Sequence, residues 1–283
     1  MKTIGELGVL AALEAFVPAV IRAGRIALRI QDDLTKGRIA NPYGKDDESR
    51  FTAALTPGDL VVENYLGAEV LGQFADVSFF GEEHELDQVS RLFPANGKYV
   101  VTLDPINGTL YYMQGVPQWD IIMTVVQEAR IVGALVCLPY WQQVYAAERG
   151  RGAWIYEYQS DREVDRHPFQ LRPQERTIQI NSSDHRIRVR LEAAGYHVVS
   201  SRTDYRDGDV DWRYATHGIL TGRLCGILKQ LPNLIDSGAV AMIAKEAGAA
   251  VSEANFHPTT YRGDSMVVGA NQKIHDDIVQ ATA

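Results

Sequence analysis

The chain has 283 residues, of which 46% are hydrophobic and 23% are charged, so it can bury a core without disulfide or metal cross-links. No run of about eighteen consecutive apolar residues is present, which predicts a protein that does not span a membrane. The formal net charge of -8 lacks the basic footprint of a nucleic-acid binder, so we expect no nucleic acid polymer as a partner, although bound divalent cations could still hold an anionic small substrate.

The first predicted element is an amphipathic helix from about Ile4 to Leu34. Its apolar residues recur at helical spacing and are interrupted by Glu6 and Glu14, which favours a helix over the continuous apolar segment of a signal peptide. The two cysteines, Cys137 and Cys225, lie far apart in apolar runs, as is typical of buried free thiols in a reducing compartment. We therefore expect a cytoplasmic protein.

A second helix is predicted from Pro57 to Leu71, because Thr56 is a capping residue and proline suits the first helical position. The polar, glycine-bearing stretch 36–50 before it predicts a loop. The strands that follow are typical of an antiparallel meander, and they are Val77–Phe80, Tyr99–Leu103, Ile121–Gln127, Ile131–Cys137, Val144–Glu148 and Gly152–Tyr156.

The pattern changes near residue 175, from strands that follow one another to strands that alternate with helices. This predicts two closely packed halves, 1–175 and 176–283, with no linker long enough to free them. The predicted elements of the second half are the strands Thr177–Ile180, His197–Ser200, Val251 and Met266–Gly269 and the helices Asp184–Ala194 and Ser237–Ala247.

One motif whose residues could bind a metal or a phosphate follows directly on the apolar strand that ends at Leu103. It reads Asp104-Pro105-Ile106-Asn107-Gly108-Thr109. An acidic residue that leaves a strand is rigidly placed and is therefore a natural metal ligand. The amides of Gly108 and Thr109 would face a phosphate if a helix starts there. Taken alone, the string fits a plain strand-to-turn connection, with Asn-Gly as the turn pair, about equally well.

Two further acidic strings lie elsewhere in the chain. Gly81-Glu82-Glu83 follows another apolar strand, and because neighbouring strand residues point to opposite faces, we expect one of the two glutamates at a shared metal site. Asp236 precedes the apolar helix that begins at Ser237. In isolation Asp236 fits a helix N-cap as well as it fits a metal ligand.

Together these strings resemble the inositol monophosphatase family, within a wider superfamily of lithium-sensitive, magnesium-dependent phosphatases. That family carries Gly-Glu-Glu, Asp-Pro-Ile-Asp-Gly-Thr and Trp-Asp-x-Ala-Ala-Gly in the same order. Thr56-Pro57-Gly58-Asp59 with Glu63 and the helix end Glu246-Ala247-Gly248-Ala249 are similar as well. The resemblance spans most of the chain and implies an α/β layered sandwich, αβαβα, whose metal site lies between the halves and takes most ligands from residues 1–175.

The resemblance also implies two or three Mg²⁺ ions, for which oxygen ligands are suited. The implied roles are water activation by Asp59 and Thr109, phosphate binding by Gly108 and Thr109, and metal binding by Glu82, Asp104, the Ile106 carbonyl, Asn107 and Asp236. The implied reaction is hydrolysis of a small phosphorylated polyol, sugar or nucleotide by metal-activated water, without a phosphoenzyme. Since similar enzymes are commonly dimers, we expect a homodimer.

The first departure from the family pattern is Asn107, which stands where the family has aspartate. An amide oxygen can ligate magnesium, but it brings no charge and attracts the ion less. Three interpretations stay open: an enzyme with a weaker second metal, a deliberately inactivated variant, and a natural non-catalytic relative that binds a ligand or acts in regulation.

The second departure is Lys229, which stands where family members have glutamate, with Cys225 in place of their aspartate. The family's glutamate contacts substrate hydroxyls, whereas a lysine favours an anionic group such as a second phosphate or a carboxylate. We therefore expect inositol monophosphate not to be the best substrate, while a solvent-facing Lys229 is the alternative. A third alternative is a nucleotide 3'-phosphatase of the same superfamily, which would differ from the main hypothesis only in its substrate. His217, where the family usually has Gly-Ser, is a candidate substrate contact.

Overall fold

The computed structural model describes residues 1–42, 55–83, 89–182, 184–200, 202–230, 232, 234–252 and 265–283, so part of the predicted loop at 36–50 lies outside them. Within these residues twelve strands form two sheets. The larger sheet contains β1 (Val77–Gly81), β2 (Tyr99–Asn107), β3 (Asp120–Gln127), β4 (Arg130–Leu138), β5 (Gln143–Glu148), β6 (Gly152–Tyr158) and β7 (Val164–Phe169). The smaller sheet contains β8 (Thr177–Ile180), β9 (His197–Val199), β10 (Gly226–Gln230), β11 (Ala250–Ser252) and β12 (Ser265–Gly269).

The strands of the larger sheet lie side by side in chain order, so this sheet is largely a meander. Every neighbouring pair is antiparallel except β1 and β2, which run parallel with Gly81 opposite Leu103. In the smaller sheet the order is β11-β12-β10-β8-β9, and β10, β8 and β9 run parallel. The predicted antiparallel pairing is therefore wrong for β1 and β2, whose parallel pairing brings the carboxyl ends of both strands to one edge.

The α-helices of the described residues are α1 (Ile4–Leu7), α2 (Val9–Thr35), α3 (Pro57–Gln73), α4 (Thr109–Met113), α5 (His185–Ala193), α6 (Ala239–Glu246) and α7 (Gln272–Thr282). Helices α2 and α3 cover the outer face of the larger sheet, where Phe16 and Leu66 share a core with Ile121. None of these helices is both long enough and apolar enough to cross a bilayer.

Helix α6 lies between the two sheets and is buried along six consecutive residues, 239–244. Its Ile243 belongs to one core with Ile122 of β3 and Val268 of β12. A helix that is apolar all round needs such a position, because both of its faces must be covered. Since α5 and α7 cover the outer face of the smaller sheet, the order of layers confirms the predicted αβαβα sandwich.

Several boundaries differ from the sequence predictions. The single helix predicted over Ile4 to Leu34 is two helices, because Gly8 adopts a left-handed φ of 89° that no helix continues through. Strand β2 continues through the Asp104 motif instead of ending at Leu103. Strand β7 was not predicted, because its middle four residues are exposed and give no apolar alternation.

Two buried or amphipathic elements of the second half, β10 and α7, were also missing from the prediction. The two sheets fall on either side of residue 175. The division into the halves 1–175 and 176–283 stays a prediction.

Candidate active site

Two acidic residues meet where β1 and β2 end. Gly81 is paired with Leu103, and the amide of Glu82 donates to the Leu103 carbonyl at 2.9 Å, so the parallel pairing extends into the turn. Glu82 and Asp104 therefore follow the last paired residues of the two strands, Gly81 of β1 and Leu103 of β2. Asp104 is buried, whereas Glu82 is exposed to solvent as a residue although its carboxyl group is surrounded by protein atoms.

A third acidic residue fixes the turn that carries Glu82. The buried Glu63 of α3 accepts a hydrogen bond from the Glu83 amide through Oε2 at 3.1 Å. Any Cβ at position 81 would lie 2.2 Å from the Glu63 carboxyl carbon, so only glycine fits beside it. This contact explains why glycine stands at position 81, before the two glutamates. The expectation that one of the two glutamates reaches a shared metal site stays a prediction.

The Glu82 and Asp104 carboxyl groups lie within hydrogen-bonding range of each other. Burial and the Glu82 charge raise the pKa of Asp104 well above its usual range. Burial likewise raises the pKa of Glu82, and the Asp236 charge adds to the effect on both. Among the described residues Asp104 Oδ1 is buried without a hydrogen-bond partner. Two facing carboxylates of this kind require a shared proton or a cation.

Asp236 lies near this pair, on an irregular helical segment. Residues Leu234–Gly238 form a single π-helical turn before α6, a distortion that is frequent at functional sites. The Ser237 amide donates to Asp236 Oδ1. Burial raises the pKa of Asp236, and the nearby Lys229 ammonium opposes that rise. Across the described ranges no three His, Cys, Asp or Glu side chains are already arranged to hold a metal ion, so Asp236 would have to turn toward the pair.

Asn107 closes β2 and lies directly opposite Asp120, which opens β3. Asn107 Nδ2 donates to Asp120 Oδ1 at 3.0 Å. The other Asp120 oxygen pairs with Nδ1 of the buried His217, while His217 Nε2 has no partner among the described residues. The predicted substrate contact His217 is therefore 1% exposed and bonded to an acid that the sequence prediction did not include.

The phosphate-binding prediction rests on a helix start at Gly108, and the structure has one. Gly108 adopts φ 96° and α4 begins at Thr109. A Cβ at position 108 would lie 3.0 Å from the Gln118 carbonyl, so both conformation and space favour glycine. The Thr109 hydroxyl donates to the Ile106 carbonyl at 2.9 Å. That carbonyl keeps a second lone pair for another ligand.

Asp59 is buried at the start of α3 and bonds to the residue that caps the helix. Its Oδ2 accepts from the Thr56 amide at 2.8 Å and from the Thr56 hydroxyl at 2.6 Å. Burial outweighs these bonds and raises the pKa of Asp59 to about 7. No hydrogen bond joins Asp59 to Thr109 in the part of the chain described, so their joint action on a water stays a prediction.

Lys229 lies on β10, half-buried, rather than on the surface. Burial lowers the pKa of its ammonium, and the charges of Asp236 and Asp120 oppose that change. The two departures from the family pattern, Asn107 and Lys229, thus share a neighbour. The charge of Asp120 influences the pKa of Lys229, and Asp120 also accepts a hydrogen bond from Asn107.

Asp120 is the site residue that sequence reasoning missed. It stands at the start of a strand whose next six residues are all buried, and a carboxylate at 0% exposure needs dedicated donors. That position was a signal in the sequence. Its partner could not be read in the same way, because His217 is 97 residues away along the chain.

Comparison with known proteins places these residues in a family. Residues 14–283 match the model of the inositol monophosphatase family. The chain is 27% identical over 145 residues to an inositol-1-monophosphatase of Rhizobium meliloti, covering 51% of this chain and 50% of that protein. It is also 27% identical over 134 residues to a histidinol-phosphatase of Chlorobaculum parvum, covering 47% and 46%.

A Nus factor SuhB of Xylella fastidiosa is 24% identical over 146 residues, covering 52% of this chain and 48% of that protein. The chain thus spans about half the length of the curated relatives it matches. Among solved structures, SuhB of Bartonella henselae superposes with a TM-score of 0.69 at 17% identity, covering 96% of this chain and 98% of that one. An IMPase of Thermotoga maritima gives 0.65 at 18% identity, covering 95% and 96%. These likenesses show a shared fold.

Proposed function

This chain belongs to the inositol monophosphatase family, and from that premise we propose that it is a magnesium-dependent phosphomonoesterase acting on a small phosphorylated polyol, sugar or nucleotide. The observation that carries the proposal is the Glu82–Asp104 pair, in which a buried oxygen has no partner within the described residues. A buried, unpaired carboxylate oxygen beside a second carboxylate is stable only with a proton or a cation. An all-oxygen donor set favours a hard divalent ion such as Mg²⁺.

The residues present fit this ion. Glu82, Asp104 and the Ile106 carbonyl would hold it, with the Asn107 amide oxygen and, after a side-chain rotation, Asp236 as further ligands for a second or third ion. When bound, Mg²⁺ neutralises the phosphate charge and lowers the pKa of a bound water.

The remaining residues bind and orient the substrate. Helix α4 begins at Thr109 after the left-handed Gly108, so the amides of these two residues would donate to phosphate oxygens. Thr109 has its hydroxyl on the Ile106 carbonyl, so its position follows that of β2. Asp59, with a pKa of about 7, would accept a proton from the attacking water near neutral pH.

A phosphate-release assay tests the proposal. Phosphate release from a panel of sugar phosphates, inositol monophosphate and nucleoside monophosphates would be measured with Mg²⁺ and with EDTA. We expect release with Mg²⁺ only, and loss of release in Glu82→Gln. Release that is equal in EDTA, or unaffected by Glu82→Gln, would contradict the proposal. Inhibition by Li⁺ would support it further.

Lys229 refines the substrate class. A half-buried ammonium beside Asp236 favours a substrate with a second anionic group, such as a bisphosphate or a phosphorylated carboxylate. We expect inositol monophosphate to have a lower kcat/KM than such a substrate. Lys229→Glu should narrow that difference by raising KM for the doubly anionic substrate. A highest kcat/KM for inositol monophosphate with the unaltered chain would refute this substrate class.

A second candidate is a ligand-binding regulatory protein without significant turnover. Two observations favour it: the neutral Asn107 in the acidic motif, and similarity to proteins named Nus factor SuhB. The two candidates differ in one measurement. A regulatory protein would bind Mn²⁺ or phosphate in calorimetry but release no phosphate from any member of the panel.

We also propose a cytoplasmic homodimer, as is common among similar enzymes. Light scattering coupled to size exclusion would measure the mass of the particle against the 31.4 kDa of one chain. A mass near one chain at micromolar concentration would overturn the dimer.

A further inference from the structure

A buried carboxylate, that of Asp120, lies one strand away from the acidic pair Glu82 and Asp104. Asp120 opens β3 directly opposite Asn107, the last residue of β2, and is 0% exposed. Asn107 Nδ2 donates to Asp120 Oδ1 at 3.0 Å. Only the amide nitrogen can donate to a carboxylate, so this bond fixes the orientation of the Asn107 amide and turns its oxygen away from Asp120.

The second oxygen of Asp120 is also used. It pairs with Nδ1 of His217, which is buried and held in the short turn Thr216–Ile219. Asp120 therefore has a donor on each oxygen from within the protein. In contrast, Asp104 Oδ1 has no donor among the described residues, and the Asp104 carboxyl group faces that of Glu82. The negative charge of Asp120 is therefore compensated by donors within the protein, whereas the charges of Asp104 and Glu82 are not.

We propose that the Asn107–Asp120 pair sets the affinity of the acidic site for divalent cations, by keeping one negative charge on β3 and presenting the neutral Asn107 oxygen beside Asp104. Asp120 is then a positioning residue that acts through Asn107. This inference rests on the proposed metal-dependent function, because it concerns how strongly Glu82 and Asp104 hold a cation. Charge count among the ligands is a main determinant of divalent-cation affinity.

The geometry permits a conservative test, because the two residues can be exchanged. In Asn107→Asp/Asp120→Asn the asparagine on β3 donates to the aspartate on β2, so the cross-strand bond survives with its direction reversed. The asparagine oxygen can still accept from His217 Nδ1, so no buried donor loses its partner. The exchange leaves composition and net charge unchanged and moves one negative charge toward Asp104.

Binding of Mn²⁺, followed by electron paramagnetic resonance at pH 7.5 in metal-stripped protein, measures the effect. We expect the exchanged variant to bind Mn²⁺ at least about ten-fold more tightly than the unaltered chain. The single variant Asn107→Asp places two carboxylates face to face across the strands. It should unfold at a lower temperature in EDTA and regain most of the loss with Mn²⁺.

Thr102 provides a matched control. It forms a buried cross-strand hydrogen bond with Thr124 on the same two strands. Thr102→Val should lower the unfolding temperature but leave the Mn²⁺ affinity within about two-fold, since the site is not involved.

The outcomes separate this inference from the proposed function. Mn²⁺ binding by the unaltered chain, with an unchanged affinity in a folded exchanged variant, would overturn this inference alone. No Mn²⁺ binding by the unaltered chain at millimolar concentration would overturn the proposed metal site. A ten-fold gain in the exchanged variant would support both.

Discussion

Two buried aspartates, Asp104 on β2 and Asp120 on the neighbouring β3, differ in how their charge is compensated. We refer to Glu82 and Asp104 as the acidic pair, and to Asn107, Asp120 and His217 as the bonded cluster. In the bonded cluster both carboxylate oxygens accept from protein donors. In the acidic pair the two carboxyl groups face each other, and Asp104 Oδ1 lacks a donor among the described residues.

This is the difference that we expect between a structural acid and a ligand site. Burying a charge is costly, and a protein tolerates the cost where its own donors compensate it or where a ligand will. The bonded cluster is complete as it stands, so its first effect should be on stability. The acidic pair is incomplete, so its first effect should be on ligand binding and turnover.

The strongest test removes one charge from the acidic pair. Asp104→Asn should lower turnover by about a thousand-fold, because the cation that would bind there supplies charge stabilisation in the transition state. In EDTA the same variant should be more stable by about 1–3 kcal/mol, since an amide at 104 can donate to Glu82. Phosphate release and urea unfolding check the two effects.

Asp165, an exposed acid on β7, provides the control for this experiment. Asp165→Asn should change neither turnover nor stability measurably. Full turnover in Asp104→Asn would show that the pair is not a ligand site, and a loss of stability in EDTA would show that its carboxylates do not repel each other.

A pH titration sharpens the comparison through Asp59, an acid whose donors are neutral. Its pKa is raised from 3.8 to about 7 by burial, so the folded state binds more protons than the unfolded chain between those values. The stability that Asp59 contributes is thus complete below pH 3.8 and is lost as the pH rises to 7, by about 1.4 kcal/mol per pH unit. The raised pKa values of Glu82, Asp104 and Asp236 act in the same direction.

Urea unfolding in EDTA at pH values from 4.5 to 8 measures this dependence. Asp59→Asn keeps an oxygen for the Thr56 amide and removes the charge. Its stability relative to the unaltered chain should therefore increase with pH and level off above 7. A constant difference across the range would mean that Asp59 is ionised throughout and that its pKa is not raised.

The smallest expected effect comes from breaking the bonded cluster. Asp120→Ala leaves the Asn107 amide and His217 Nδ1 without an acceptor, which should cost about 3 kcal/mol of unfolding free energy in EDTA. Saturating Mg²⁺ should not restore this loss. Thermal unfolding with and without Mg²⁺ checks this: the variant should remain less stable than the unaltered chain at saturating Mg²⁺, whereas complete rescue by Mg²⁺ would mean that the two lost hydrogen bonds do not account for the instability.

Much of the site was predictable because it is encoded in short strings. The Gly81-Glu82-Glu83 turn, the Asp104 motif and the helix start at Thr109 each depend on residues that are close in sequence, and their local conformations follow from glycine and strand geometry. The family match over residues 14–283 agrees with the resemblance drawn from those strings. The predicted metal, phosphate and substrate roles of these residues stay predictions.

The errors in the predicted elements also have physical causes. The break at Gly8 depends on one residue with a positive φ in an otherwise helical pattern. Strand β2 continues through Pro105, because its pairing with β3 is interrupted between Asp104 and Asn107. No backbone N–H is needed at position 105, so proline can stand there. Pattern reasoning sees a proline as the end of a strand, whereas the neighbouring strand decides whether it is.

The sequence by itself determined the acidic strings at the ends of β1 and β2, because short motifs act between residues that are near in the chain. Those strings carried the resemblance to the family, and the resemblance implied the order of layers. Only the tertiary structure decided which acids are compensated. The bond between Asp120 and His217 joins residues 97 apart, and the facing of Glu82 and Asp104 depends on the parallel pairing of two strands. Charge compensation is a property of surroundings in space, so no local pattern specifies it.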